Sequence, residues 1–330
     1  MYSKKLTRFY KIISRMPKAR VLVVGDIMLD RFIWGTVSRI SPEAPVPVVW
    51  AKSESFMPGG ASNVANNICA LGADAYMCGV IGDDEAGRIL VSELSKNGIK
   101  ADGIVLDKNR PTIHKTRIIA HQQQVVRIDK ESDSIFDKCI IDSMISYAKS
   151  RINDIDAIII EDYGKGLVVP RLIRELVLLA GHHKKIVTVD PKEEHFRLYA
   201  GVTSITPNRK EAEEASGIKI KDSQSLQKAG SRLLGMLKSD SVLITLGEDG
   251  MALFQKHKSC VSIPTVAQEV YDVSGAGDTV IGVFTLALAC GANMNEAAYI
   301  ANAAAGVVVG KLGIGVCNTS ELKTYIRKIK

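Results

Sequence analysis

The densest chemical signal in the chain is the octapeptide Asp272-Val-Ser-Gly-Ala-Gly-Asp-Thr279, which runs straight into an apolar helical pattern. Gly275, Ala276 and Gly277 carry almost no side chain, so their N–H groups can approach a ligand at a helix N-terminus, where free donors and the helix dipole favour an anion. Asp278 falls in the first helical turn, is held ionised by the same dipole, and can accept a proton from an attacking hydroxyl. An anion cradle beside a base is what phosphoryl transfer to an alcohol requires. A Gly-rich turn whose aspartate merely stabilises the helix start satisfies the same spacing. A second segment, Pro58-Gly-Gly-Ala-Ser-Asn-Val-Ala-Asn-Asn67, places Gly59, Gly60 and Asn63 where backbone and side-chain amides can converge on a polar ligand. It also reads as an ordinary helix start capped by Ser62 or Asn63.

Other patterns carry less. Gly306-Val-Val-Val-Gly-Lys311 has three residues between its glycines, not four, and Leu312 supplies no hydroxyl for magnesium, so it is not a nucleotide-binding P-loop. The six histidines show no metal-ligand spacing, and His121 on a lid strand reads as a packing or hydrogen-bonding residue. The six cysteines form no CxxC pair and sit mostly in apolar segments, as reduced cytosolic thiols do.

Elements must hold these groups in place. Strand and helix periods alternate almost throughout the 330 residues, with short apolar strands near 21–25, 75–80, 157–160, 186–189, 202–206 and 242–246. Helices are expected at 61–71, 85–96, 170–180, 225–237, 276–290 and 295–309, from Asn208, and at the end from a Ser320 cap. Repeated βα units with unalternating strands predict an α/β fold: a mostly parallel sheet with helices on both faces. Residues 30–55, with the Pro-rich 41–47, and residues 112–128, around His121-Gln-Gln-Gln124, read as antiparallel pieces forming a small lid. No Gly/Ser linker or charge block marks a boundary, so 1–330 is one domain with that lid. No apolar run approaches the roughly 20 residues a membrane helix needs. The net charge of +7 resides in the first 25 residues (Lys4, Lys5, Arg8, Lys11, Arg15, Lys18 and Arg20), leaving the remainder balanced and arguing against nucleic acid. That arm is either a targeting or membrane-surface helix or one packing Leu6, Phe9, Ile12 and Ile13 onto the body.

Both glycine signatures, at opposite ends of the chain, resemble those of the ribokinase-like (PfkB) carbohydrate kinases, over about residues 20–320. The resemblance implies that Asp278 is the catalytic base and Gly275, Ala276 and Gly277 the anion hole. It implies that Asn208-Arg-Lys-Glu211, including Arg209 and Lys210, holds nucleotide phosphates and magnesium-bound water, the latter through Glu211. Read alone, Asn208 and Glu211 make a capping box. Thr245, Gly247 and Gly250 match the turn that cradles the nucleotide, which otherwise reads as a hairpin turn, and Asn302 matches the position along the adenine. Asp272 and Ser274 match positions that bind a monovalent cation in potassium-activated members.

Gly25-Asp-Ile-Met-Leu-Asp-Arg31, 38–47, His121–Gln124 and Asp162-Tyr-Gly-Lys-Gly166 resemble one branch, the heptose-7-phosphate kinase module of ADP-heptose synthesis. With no HxGH-like nucleotidyltransferase motif in the sequence, the kinase step alone is implied: ATP and Mg2+, with K+ as in the potassium-activated members, phosphorylating the C1 hydroxyl of a heptose 7-phosphate in the cytoplasm. Asp30 then holds sugar hydroxyls, with Gly59, Gly60 and Asn63 at the substrate. Lys165, Lys192, Arg117 and Arg127 are candidates for the sugar's phosphate, Lys165 foremost because it lies between two glycines; each also reads as a surface ion-pair partner. Exposed lid edges suggest a homodimer. Rival readings are another sugar or nucleoside kinase, or a silent sugar- or nucleic-acid-binding regulator on the same fold.

Overall fold

The computed structural model describes residues 2–327 except 122, 133, 267–269, 312 and 314, so Gln122 and Leu312 lie outside the described residues. Thirteen strands run in chain order among them: β1 (Arg20–Gly25), β2 (Ile27–Ile40), β3 (Pro47–Gly60), β4 (Asp74–Gly82), β5 (Lys100–Asp107), β6 (His114–Ala120), β7 (Gln123–Lys130), β8 (Ala157–Glu161), β9 (Ile186–Asp190), β10 (Ser204–Ile205), β11 (Ser241–Thr245), β12 (Met251–Gln255) and β13 (Val261–Ile263).

Nine strands form one sheet in the order β13-β12-β11-β10-β9-β8-β1-β4-β5. Pairing is parallel from β11 to β5, with β12 and β13 added antiparallel. The central strands show why their sequences do not alternate. Val21 and Val23 of β1 enter one hydrophobic cluster while Leu22 and Val24 enter the other, and β8 divides Ala157 and Ile159 from Ile158 and Ile160 in the same way. Both faces are covered, so every position is apolar. On one face lie the helices Ala61–Ala70, Glu85–Lys96, Ala276–Ala289 and Met294–Val308; on the other lie Lys138–Arg151, Pro170–His182 and Ser223–Leu237.

The basic N-terminal segment is the packed alternative. Phe9, Ile12 and Ile13 of the helix Tyr2–Ile13 are buried in the first cluster, and Arg8 pairs with Glu296 at 3.0 Å. Two local expectations are corrected. The last helix, Thr319–Ile326, is capped by Asn318, because an acceptor at the cap and Glu321 three residues on complete a capping box, and Ser320 sits inside the first turn. The strand expected over 202–206 shrinks to Ser204–Ile205, cut short by Pro207.

The lid is a separate four-stranded sheet ordered β3-β2-β6-β7. β2 pairs antiparallel with β3 and parallel with β6, and β7 closes it antiparallel to β6. It reaches further into the body than 30–55 and 112–128, since β3 continues through Gly59 and Gly60 directly into the helix Ala61–Ala70. The Pro-rich 41–47 is the turn of the long hairpin. His121 does hydrogen-bond, its Nε2 lying 3.1 Å from the Val37 carbonyl oxygen.

Candidate active site

The carboxyl ends of β1, β8 and β9 deliver Asp26, Glu161 and Asp190 to one edge of the sheet, and the helix Ala276–Ala289 starts above them. Gly275 caps that helix at φ +76°, a left-handed conformation that glycine adopts without strain. Of the three amides expected to form an anion hole, that of Ala276 already donates to the Val273 carbonyl at 3.2 Å. The N–H groups of Gly275 and Gly277 have no partner among the described residues, and the space a side chain would take at Gly277 is open. These two amides are the open donors at the helix start.

Asp278 is buried at its mouth. Its Oδ2 accepts from Asn63 Nδ2 at 2.6 Å and its Oδ1 from the Tyr163 hydroxyl at 2.9 Å. Burial raises its pKa, and both hydrogen bonds oppose the rise by favouring the carboxylate. One carboxylate oxygen from each of Glu161, Asp190 and Asp278 falls within 4.8 Å of the others. Neither oxygen of Glu161 has a hydrogen-bond donor among the described residues, and burial pushes its pKa well up. Asp190, pushed up to about 8 by burial and then by Glu211 and Asp278, accepts from Thr206 Oγ1 at 2.8 Å. Three carboxylates this close require a shared proton or a cation.

The helix-cap reading of the first glycine motif does not hold. Gly60, at φ +57°, is the N-cap residue and no side chain caps the helix; Ser62 Oγ donates to the Gly59 carbonyl at 2.5 Å, and Asn63 is committed to Asp278. Sequence reasoning does not single out Tyr163 either, although it lies inside the Asp162–Gly166 motif. Its loop is held from below: Asp26 Oδ2 accepts the N–H groups of Tyr163 at 3.0 Å and Lys165 at 3.2 Å. Burial pushes Asp26 up to about 6. Asp162 is a structural anchor, accepting from the Tyr199 hydroxyl at 2.6 Å and lying 2.7 Å from His195 Nδ1.

Among the residues expected to hold the sugar, Asp30 is buried on the lid strand β2 and ion-paired to Arg117. Gly59 packs so closely that a β-carbon there would sit 2.2 Å from Asp30 Oδ2. Lys165 pairs with Glu131 at 2.7 Å, Arg127 with Asp129 at 2.9 Å, and Lys192 with Glu193 at 2.8 Å. Every cation read from the sequence as a phosphate ligand thus has a carboxylate partner. Lys115, two residues before Arg117 on the same face of β6, has none among the described residues, and nothing in its spacing marks it.

Among the residues expected to hold the nucleotide, Asn208 and Glu211 form the capping box: Asn208 Oδ1 accepts the Glu211 N–H at 3.0 Å and Glu211 Oε2 accepts the Asn208 N–H at 2.8 Å. Arg209 pairs with Asp249 at 2.5 Å, tying the helix to the β11–β12 turn, while Lys210 reaches only Glu214, at 3.6 Å. Thr245 bridges to Asn208, and Gly247 and Gly250 turn the chain at φ +65° and +83°, so the segment is also the hairpin turn that its sequence suggested. Asn302 is buried and donates to the Pro264 carbonyl at 2.8 Å. An open hollow of about 540 Å³ lies one helical turn beyond it, against Gly306, Val307 and Tyr325. Asp272 Oδ1 accepts the Ser274 N–H at 2.9 Å. Lys311 of the P-loop-like run is structural, bound to Glu321 at 2.7 Å.

The sequence profile of the pfkB family carbohydrate kinases matches residues 18–321. The chain belongs to the pfkB family of carbohydrate kinases. Among its pfkB relatives are the bifunctional protein HldE of Desulfatibacillum aliphaticivorans, 44% identical over 96% of this chain and 64% of that protein. The bifunctional protein HldE of Citrifermentans bemidjiense is 48% identical over 94% of this chain and 63% of that protein. The chain therefore spans just under two thirds of the length of these relatives. The pfkB fold is shared with Escherichia coli phosphofructokinase-2 solved with potassium, at TM-score 0.78, 20% identity and coverage of 94% and 99% of the two chains. Arabidopsis thaliana ribokinase complexed with ribose and ATP superposes at TM-score 0.73 and 19% identity, covering 94% and 98%. No helix among the described residues is long and apolar enough to cross a membrane.

Proposed function

We propose that this carbohydrate kinase transfers the terminal phosphoryl group of ATP to the C1 hydroxyl of D-glycero-D-manno-heptose 7-phosphate, forming the 1,7-bisphosphate for ADP-heptose and lipopolysaccharide-core synthesis. The observation that carries the chemistry is Asp278, buried, doubly hydrogen-bonded and one residue from the open Gly277 amide. The acceptor hydroxyl gives its proton to the Asp278 carboxylate as its oxygen bonds to phosphorus, and the bond to ADP breaks. The Gly275 and Gly277 N–H groups stabilise the charge developing on the phosphoryl oxygens; one such donor is commonly worth about 10²–10³ in rate. The acceptor's identity rests on the HldE relatives and on the Asp162–Gly166 and 38–47 motifs.

Asn208, Arg209, Lys210, Glu211, Thr245, Gly247, Gly250 and Asn302 form the nucleotide side of this reading. Glu211 fits Mg2+, which takes oxygen ligands, because only its Oε2 is used by the capping box, and the unpartnered Glu161 adds to the demand for positive charge. Magnesium, when bound, neutralises nucleotide phosphate charge. A K+ site at Asp272 and Ser274 is part of the same proposal, supported by the potassium in the phosphofructokinase-2 relative. The lid closes over the sugar and excludes water. Its exposed Trp50, Val126 and Ile128, on the edge strands β3 and β7, support a homodimer, and the free state of all six cysteines supports a cytoplasmic setting.

A coupled assay of ADP release over heptose 7-phosphate, fructose phosphates, ribose and adenosine tests the reading. Turnover should be highest with the heptose phosphate; preference for ribose or adenosine would transfer the chain to another branch of the family.

A further inference from the structure

Four cations gather on the sugar side of the site: Lys115 and Arg117 from β6, Arg127 from β7, and Lys165 from the loop after β8. Three carry a carboxylate each, namely Asp30 for Arg117, Asp129 for Arg127 and Glu131 for Lys165. Lys115 makes no hydrogen bond or ion pair among the described residues, and its ammonium lies 5.6 Å from the centre of the Tyr163 ring. It is not a solvated surface lysine either. Burial pulls its pKa down, and Lys165 and Arg127 pull the same way against Asp30 and Asp129.

A partly desolvated ammonium that makes no ion pair costs stability, so its presence here points to an anion that arrives with the substrates. Sheet register places it. Lys115 is directly beside Asp30 on β2 and opposite Asp129 on β7, and its charge is felt at Asp278. It neighbours the aspartate assigned to the sugar hydroxyls and acts on the assigned base.

We infer that Lys115 is the lid cation that binds a phosphoryl group of the substrates, the ion pair it lacks in the free protein being completed by a non-bridging phosphate oxygen. This rests on the sugar-phosphate kinase reading above. Two sources offer that chemistry: the phosphate the sugar already carries and the one in transit from ATP. Arg117, Arg127 and Lys165, by contrast, would each have to leave a carboxylate to take the same role.

The test compares wild type, Lys115→Met and Lys115→Arg by initial rates with heptose 7-phosphate and with the unphosphorylated heptose, and by melting with and without inorganic phosphate. Lys115→Met should lose roughly 10- to 150-fold in kcat/KM for the sugar phosphate, the span of one charge-assisted hydrogen bond, while Lys115→Arg recovers part of it. Its unliganded melting temperature should match or exceed wild type, since the deleted charge had no partner. A loss confined to KM of the sugar phosphate assigns Lys115 to the sugar's own phosphate; a loss in kcat for both sugars assigns it to the phosphoryl in transit. Kinetics within twofold of wild type, or a fallen melting temperature with normal activity per folded molecule, overturn the inference. If wild type turns over no sugar phosphate, the kinase reading fails separately. Lys115 is then judged by phosphate alone, which should raise the melting temperature of wild type but not of Lys115→Met; equal shifts overturn it.

Discussion

Asn63 Nδ2 donates to Asp278 Oδ2 across 2.6 Å, joining residues 215 positions apart in the chain. The helices they begin pack on each other, and Thr279 Oγ1 repeats the link one residue on by donating to Asn67 Oδ1 at 2.9 Å. The amide offsets part of the burial that raises the Asp278 pKa and fixes the plane of its carboxylate. Two motifs that look like independent ligand loops therefore meet at one buried carboxylate.

Replacing the base should separate chemistry from binding. Asp278→Asn is expected to lower kcat by about 10²–10⁴, the usual contribution of a positioned general base, because an amide cannot take the hydroxyl proton. Steady-state rates and calorimetric titration of ATP would check this together. Near-normal turnover would remove Asp278 from the mechanism.

Tyr163→Phe keeps the ring and removes only the hydroxyl on Asp278 Oδ1. A hydrogen bond to a charged group is worth about 1.5–3 kcal/mol, so kcat should fall on the order of 10- to 100-fold near neutrality. The lost bond favoured the carboxylate, so burial is less opposed and the acid limb of the kcat–pH profile should move to higher pH. Glu161, Asp190, Asp30 and Lys115 also act on Asp278 and remain in the variant. An acid limb that stays in place would show that Tyr163 does not tune the base.

Stability of the unliganded protein should depend on pH through the buried acids. Asp190 is pushed up to about 8 and Asp26 to about 6, both from an ordinary value near 4, and burial is the main cause in each. A folded pKa above the unfolded one stabilises the fold below the unfolded value and loses that contribution as pH rises through the folded one. The urea midpoint should therefore decline from about pH 5 to about pH 9, and Asp190→Asn should flatten the part of the decline around pH 8. A midpoint that rises with pH across this window would contradict the burial of these groups.

Gly59→Ala tests the floor of the sugar site. Its new β-carbon would meet Asp30 Oδ2 at 2.2 Å, so Asp30 must swing away and its pairing with Arg117 must change. KM for the sugar should rise by roughly 10-fold or more, as for loss of a charge-assisted contact, with KM for ATP little altered. Equal effects on both substrates would place Gly59 outside the sugar site.

Much of the fold was written locally. The unalternating strands β1 and β8, the Asn208–Glu211 box and the helix-starting Gly275–Asp278 turn each depend on residues within a few positions of one another, so their types and spacing determine them. The lid was legible as well, from the Pro-rich turn at 41–47 that joins β2 to β3, although β7 is exposed along its whole length. What tertiary structure alone decided is which groups meet. Ala276 spends its N–H on Val273, the Asp162–Gly166 loop is held by Asp26 so that Tyr163 reaches Asp278, and Lys165 and Arg127 are claimed by Glu131 and Asp129. Charge pairing and carboxylate crowding depend on distances of a few ångströms between residues far apart in the chain, and residue spacing carries no record of them. Lys115 is the clearest case: one lysine among 43 basic residues in sequence, it stands apart only when its neighbours in space are seen to be paired with others.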